Sequence, residues 1–138
     1  MTDHIHRTLT ADQLRGVSEL ALAHVGDAVF ELLVRQELCC AGSAQMKELH
    51  LRTVARVTAA AQADLVERLL PHLTQEELTV YKRGRNAHTH QPPKSVTPGQ
   101  YARATGLETL FGWLWLTNRF DRINALYELG KETSPECR

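Results

Sequence analysis

The chain has 138 residues, 43% of them apolar, and its sixteen Lys+Arg balance sixteen Asp+Glu. That composition suits one folded globular domain and excludes a disordered or collagen-like chain. No apolar run reaches signal-peptide or membrane-spanning length, so a single cytoplasmic domain over 1–138, with its core at about 17–130 and no membrane partner, is expected.

Taken in chain order, Thr10-Ala-Asp-Gln13 reads as a capping box with Leu9 and Leu14 as its hydrophobic staple. A helix follows through 21–37, where Ala21, Val25, Ala28 and Leu32 recur at helical spacing, and Gly42 suits its stop. Ser43 is the expected start of the next helix. Val54, Val57, Ala61, Leu65 and Leu69 then continue the 3.6-residue habit. Thr74-Gln-Glu-Glu77 is a second capping box, stapled by Leu73 and Leu78. The stretch 84–96 carries Pro92-Pro93 and no periodicity, so it reads as a loop. Thr97-Pro-Gly-Gln100 is a third box, with Pro98 at the first helical position. Leu107, Leu110 and Leu114, then Ile123 and Leu126, complete the pattern, and Gly130 is the last stop. Strand-like alternation is absent. The spacing predicts an all-α domain of about six helices and one basic loop.

Three cysteines, Cys39, Cys40 and Cys137, lack CxxC spacing and read as reduced thiols. His4/His6 and His88/His90 have no third ligand nearby, so a zinc centre is not expected. The neutral total hides an asymmetry. Between Leu78 and Leu107 there is no acidic residue and there are five basic ones, Lys82, Arg83, Arg85, Lys94 and Arg103. Such a segment suits a confined polyanion site, or a solvated loop and helix end.

Two isolated acids stand out. Asp27 follows Gly26, and Leu20, His24, Asp27 and Glu31 fall on one helix face. The plain reading is a solvent stripe; the alternative is a carboxylate amid apolar residues, compensated by a cation or a hydrogen-bond donor. Glu108 is the sole acid between Glu77 and Asp121. It is either the one polar stripe of an apolar helix or a paired functional group. Thr105 and Gly112 keep its face small, so another helix could approach closely.

The run Leu20-Ala-Leu-Ala-His-Val-Gly-Asp-Ala-Val-Phe-Glu-Leu-Leu-Val-Arg35 resembles the signature helix of the ribonuclease III catalytic domain, with its Leu-Gly-Asp-Ala/Ser-Val core. Thr105-Gly-Leu-Glu-Thr-Leu-Phe-Gly112 is similar to that family's second acidic helix, with its Glu-Ala-Leu-Ile-Gly core. Lys82-Arg-Gly-Arg-Asn-Ala87 and Pro93-Lys94 resemble the compact bacterial branch, mini-ribonuclease III, which lacks a double-stranded-RNA-binding domain. The resemblance implies an all-α homodimer that cleaves double-stranded RNA by hydrolysis, leaving 5′-phosphate and 3′-hydroxyl ends. It places the catalytic, metal-binding acids on Asp27 and Glu108, with Mg²⁺ as cofactor and Mn²⁺ as a substitute. It implies RNA contacts by Lys82, Arg83, Arg85, Asn86, His88 and Lys94. It also implies maturation of large-subunit (23S) rRNA precursor ends in the cytoplasm, with ribosomal protein L3 as a partner. Leu20, Ala23 and Thr105 stand where the larger relatives carry further acids. Those losses motivate an alternative, a non-catalytic helical dimer that binds structured RNA. Phe30, Leu33, Val34, Trp113 and Trp115 are the apolar residues expected at the contact between copies.

Overall fold

A computed structural model describes residues 1–42, 45–87, 92 and 94–131. Among them are seven α-helices and no strand: α1 (Ala11–Arg15), α2 (Glu19–Cys40), α3 (Met46–Val57), α4 (Ala59–Leu69), α5 (Gln75–Arg85), α6 (Pro98–Leu116) and α7 (Phe120–Leu129). A 3-10 turn, Leu70–His72, follows α4 at Pro71. No helix among the described residues is long and apolar enough to cross a membrane.

All three capping boxes form. Thr10, Thr74 and Thr97 each accept from the backbone three residues on, and Gln13, Glu77 and Gln100 answer to the cap backbone. Two boundaries differ from the sequence reading. The periodicity from Val54 to Leu69 is interrupted at Thr58, whose extended backbone (φ −64°, ψ 155°) ends α3 while its hydroxyl caps α4 at Ala61. α3 starts at Met46 with Gln45 as N-cap, and Ser43 lies outside the described residues. Seven helices therefore replace about six.

Helix α6 is the centre of the molecule. Ten of its nineteen residues are buried, and α2, α5, α4 and α7 all pack on it. A helix surrounded in this way must be apolar on nearly every side, which is the composition of 104–116. Phe30 of α2 meets Phe111 of α6 edge-on at 5.9 Å and Tyr127 of α7 at 6.1 Å. After α6 the chain reverses at Asn118, a left-handed residue (φ 63°) of the type that tolerates this conformation.

Three of the five residues expected between copies are corrected here. Phe30, Val34 and Trp113 belong to the interior of a single chain, at 1%, 0% and 7% exposure, and Leu33 and Trp115 pack against the same core. The apolar surface of Phe30, Val34 and Trp113 is spent on the fold, whereas Leu33 and Trp115 stay partly exposed.

Candidate active site

The two isolated acids sit on helices whose backbones touch. A side chain at Gly26 would place its Cβ 1.6 Å from the carbonyl oxygen of Glu108, and one at Gly112 would lie 1.9 Å from that of Leu22. Only glycine at both positions permits such an approach. The crossing sets Asp27, one residue past Gly26, against Glu108. Their carboxyl groups share a hydrogen bond. Asp27 is exposed while Glu108 is half-buried. Burial, and then the hydrogen bond and charge of Asp27, push the Glu108 carboxyl up to about 9, so it keeps its proton near neutrality.

The α2 stripe is a solvent face that also meets α6. Leu20 and His24 are exposed and Glu31 pairs with Arg35 at 3.1 Å, as a solvent face would. Asp27, on that same face, reaches the neighbouring helix. The missing acids have not been replaced from elsewhere: among the described residues no three His, Cys, Asp or Glu side chains converge. Ala23 and Thr105 are buried, and the Thr105 hydroxyl donates to the Tyr101 carbonyl at 3.0 Å. The donor set is thus two carboxyls. It fits a hard cation such as Mg²⁺, which prefers oxygen, retains several waters and needs only one or two protein carboxylates. A cation between them would also reverse the like-charge penalty that holds the proton on Glu108.

The basic residues lie at the C-terminal end of α5. Lys82, Arg83 and Asn86 line an open depression together with Glu19 of α2. Arg85 lies over the Tyr81 ring, 5.8 Å from its centroid, and its Nε donates to Asn86 Oδ1 at 3.2 Å. Lys94 is exposed on the turn before α6; His88 lies outside the described residues. Many of the other cations are engaged in ion pairs. Arg35, Arg52, Arg56, Arg103, Arg119, Arg122 and Lys131 all pair with carboxylates. Lys82, Arg83, Arg85 and Lys94 pair with none among the described residues.

Gly84 and Arg85 fall inside α5 and not in the loop expected from 84 onward. Gly84 is helical and buried, and its Cα faces Thr109 of α6. Two other contributors escaped the sequence reading. Glu77 closes its capping box and also takes two hydrogen bonds from Arg122 of α7, at 2.7 and 2.9 Å, which anchors the start of α5. Thr109, fully buried next to Glu108, donates to the Thr105 carbonyl at 2.7 Å and lies 3.3 Å from the Glu19 carbonyl. A small polar residue in an otherwise largely apolar helix was the available signal.

Residues 20–119 match the Ribonuclease III domain. The chain belongs to the ribonuclease III family. It is 40% identical over 109 residues to the Mini-ribonuclease 3 of Symbiobacterium thermophilum, covering 79% of this chain and 84% of that protein. It is 43% identical over 123 residues to the Mini-ribonuclease 3 of Synechocystis sp., covering 86% and 83%. The crystal structure of a Fusobacterium nucleatum protein superposes with a TM-score of 0.76 at 29% identity, over 84% of this chain and 93% of that one. The family makes this chain an endoribonuclease, which sets aside the non-catalytic alternative.

Proposed function

We propose that this ribonuclease III family member hydrolyses double-stranded RNA at Asp27 and Glu108 with Mg²⁺ held between them, Mn²⁺ being a substitute. The observation that carries the reading is the contact of these two carboxyls across the Gly26–Gly112 crossing, with unpaired cations on the adjoining helix. A bound divalent ion supplies Lewis-acid polarisation of the scissile phosphate and lowers the pKa of an attacking water.

The chain's own residues do the rest. Asp27 and Glu108 each present carboxylate oxygen, Glu108 first giving up its proton. Lys82, Arg83, Arg85 and Lys94 neutralise backbone phosphates, with the arginines donating paired hydrogen bonds. Asn86 and His88 reach 2′-hydroxyls. Duplex RNA is recognised largely by shape and backbone, so this set needs no base-reading group. Hydrolysis adds water across the phosphodiester and leaves a 5′-phosphate and a 3′-hydroxyl. Because the site supplies one carboxyl pair per chain and a duplex has two strands, the working unit is a homodimer. Its substrate is the stem at the ends of the large-subunit (23S) rRNA precursor, presented with ribosomal protein L3, in the cytoplasm.

The test is cleavage of a labelled precursor stem. The parent protein is expected to cut both strands only when Mg²⁺ or Mn²⁺ is present, and Asp27→Asn to cut neither. Cleavage that survives Asp27→Asn, or proceeds equally in chelator, would overturn the assignment.

A further inference from the structure

Two helices bring the site together, but its basic half rides on a third, and one contact fixes that third helix beside the acids. Gly84 sits in the middle of Lys82, Arg83 and Arg85. A Cβ there would lie 2.3 Å from Thr109 Oγ1 and 2.5 Å from Thr109 Cβ. Thr109 adjoins Glu108, is 0% exposed, and lies with its hydroxyl between the Thr105 carbonyl of its own helix and the Glu19 carbonyl of α2. A single buried side chain therefore touches all three elements of the site: the basic helix through Gly84, the first turn of α2 through Glu19, and the acid-bearing helix of which it is part.

From this geometry we infer that Gly84 and Thr109 are a positioning pair, whose size match sets how far the phosphate-binding end of α5 stands from the Asp27–Glu108 carboxyls. The inference rests on the proposed cleavage of duplex RNA. Neither residue touches substrate. Gly84→Ala forces α5 outward, because its Cβ meets Thr109 Cβ and not a flexible tip. The basic side chains then engage the duplex in a register offset from the carboxyls. Substrate capture should suffer while the acid pair, held by Gly26 and Gly112, keeps its geometry.

Steady-state cleavage of a duplex substrate, with the salt dependence of binding, tests this. Gly84→Ala is expected to raise KM about tenfold with kcat within about twofold, the signature of lost binding rather than lost chemistry. Its binding should depend on salt more weakly by about one unit or more of slope, as phosphate contacts are lost. The exchanged pair Gly84→Ala/Thr109→Gly restores room and should bring KM back towards the parent. A merely structural role predicts the opposite split, a lower kcat through a smaller folded fraction at unchanged KM. That split overturns the inference, as does failure of the exchanged pair to recover KM while its melting temperature recovers. If Gly84→Ala does not fold, Thr109→Ala carries the test: it removes the surface on which Gly84 rests, and it should raise KM about threefold, with Thr109→Ser closer to the parent. An unchanged KM in Thr109→Ala overturns the pair. A parent that neither binds nor cuts duplex RNA sinks the underlying reading and this inference together, whereas a parent that cuts and variants that do not respond sink this inference alone.

Discussion

At the scale of single residues, the informative group is Glu108. Burial and the neighbouring Asp27 hold its carboxyl up to about 9, so in the absence of divalent ions the folded chain keeps a proton that the unfolded chain releases near the ordinary value of 4.5. The unfolded state thus binds fewer protons between those values, and stability falls as pH rises through that window. The metal-free protein should therefore melt at progressively lower temperature from pH 5 to pH 9, and Glu108→Gln should flatten that profile. Calorimetry in chelator checks both. Asp27→Asn is expected to lower the cleavage rate on the order of 10³-fold or more, since a lost metal contact removes several kcal/mol from the transition state. Glu19 is the one acid lining the depression formed with Lys82, Arg83 and Asn86, and no ion pair joins it to them. Its charge opposes that of a phosphate backbone, so Glu19→Gln should tighten duplex binding severalfold, most at low salt.

At the scale of elements, much of the arrangement could be read from the chain because its signals are local. A capping box needs four consecutive residues, and the three at Thr10, Thr74 and Thr97 mark their helix starts without reference to the fold. Asp27 and Glu108 could be named because each is an isolated acid in an apolar helix, but their meeting depended on Gly26 and Gly112 facing one another across 86 positions of sequence (112 minus 26). The break at Thr58 was illegible since the apolar spacing runs through it and no acid follows at the third position. The burial of Phe30, Val34 and Trp113 was equally hidden, as an apolar residue carries no mark of whether its own chain or another covers it. Two predictions belong here. Gly26→Ala drives a methyl into the Glu108 backbone and should destabilise by more than about 3 kcal/mol, beyond ordinary overpacking. Arg122→Ala leaves Glu77, only 3% exposed, without its guanidinium. The cost should be about 2 kcal/mol, below that of a fully buried pair because the Arg122 side chain is 31% exposed. Burial alone would raise the Glu77 carboxyl, but Arg122 and the Thr74 backbone hold it below its usual range. Its contribution is complete above about pH 4.5 and fades as pH falls through the lowered value, so Arg122→Ala should narrow the gap from the parent in acid.

At the scale of the whole molecule, a balanced total charge conceals a division of labour. Several cations fasten helices to one another, as Arg56 does between Glu37 and the Tyr127 hydroxyl. Those at the end of α5 have no carboxylate partner among the described residues. Sedimentation of the parent at micromolar concentration should show two copies; a monomer that still severs both strands would separate catalysis from pairing.

The bare contact of α2 with α6 carries a last consequence. Where two glycines meet, nothing compressible intervenes, and the gap between the acids is gauged by peptide thickness alone. Loosening of remote side chains can therefore lower the unfolding temperature of this protein while leaving turnover, below that temperature, almost untouched.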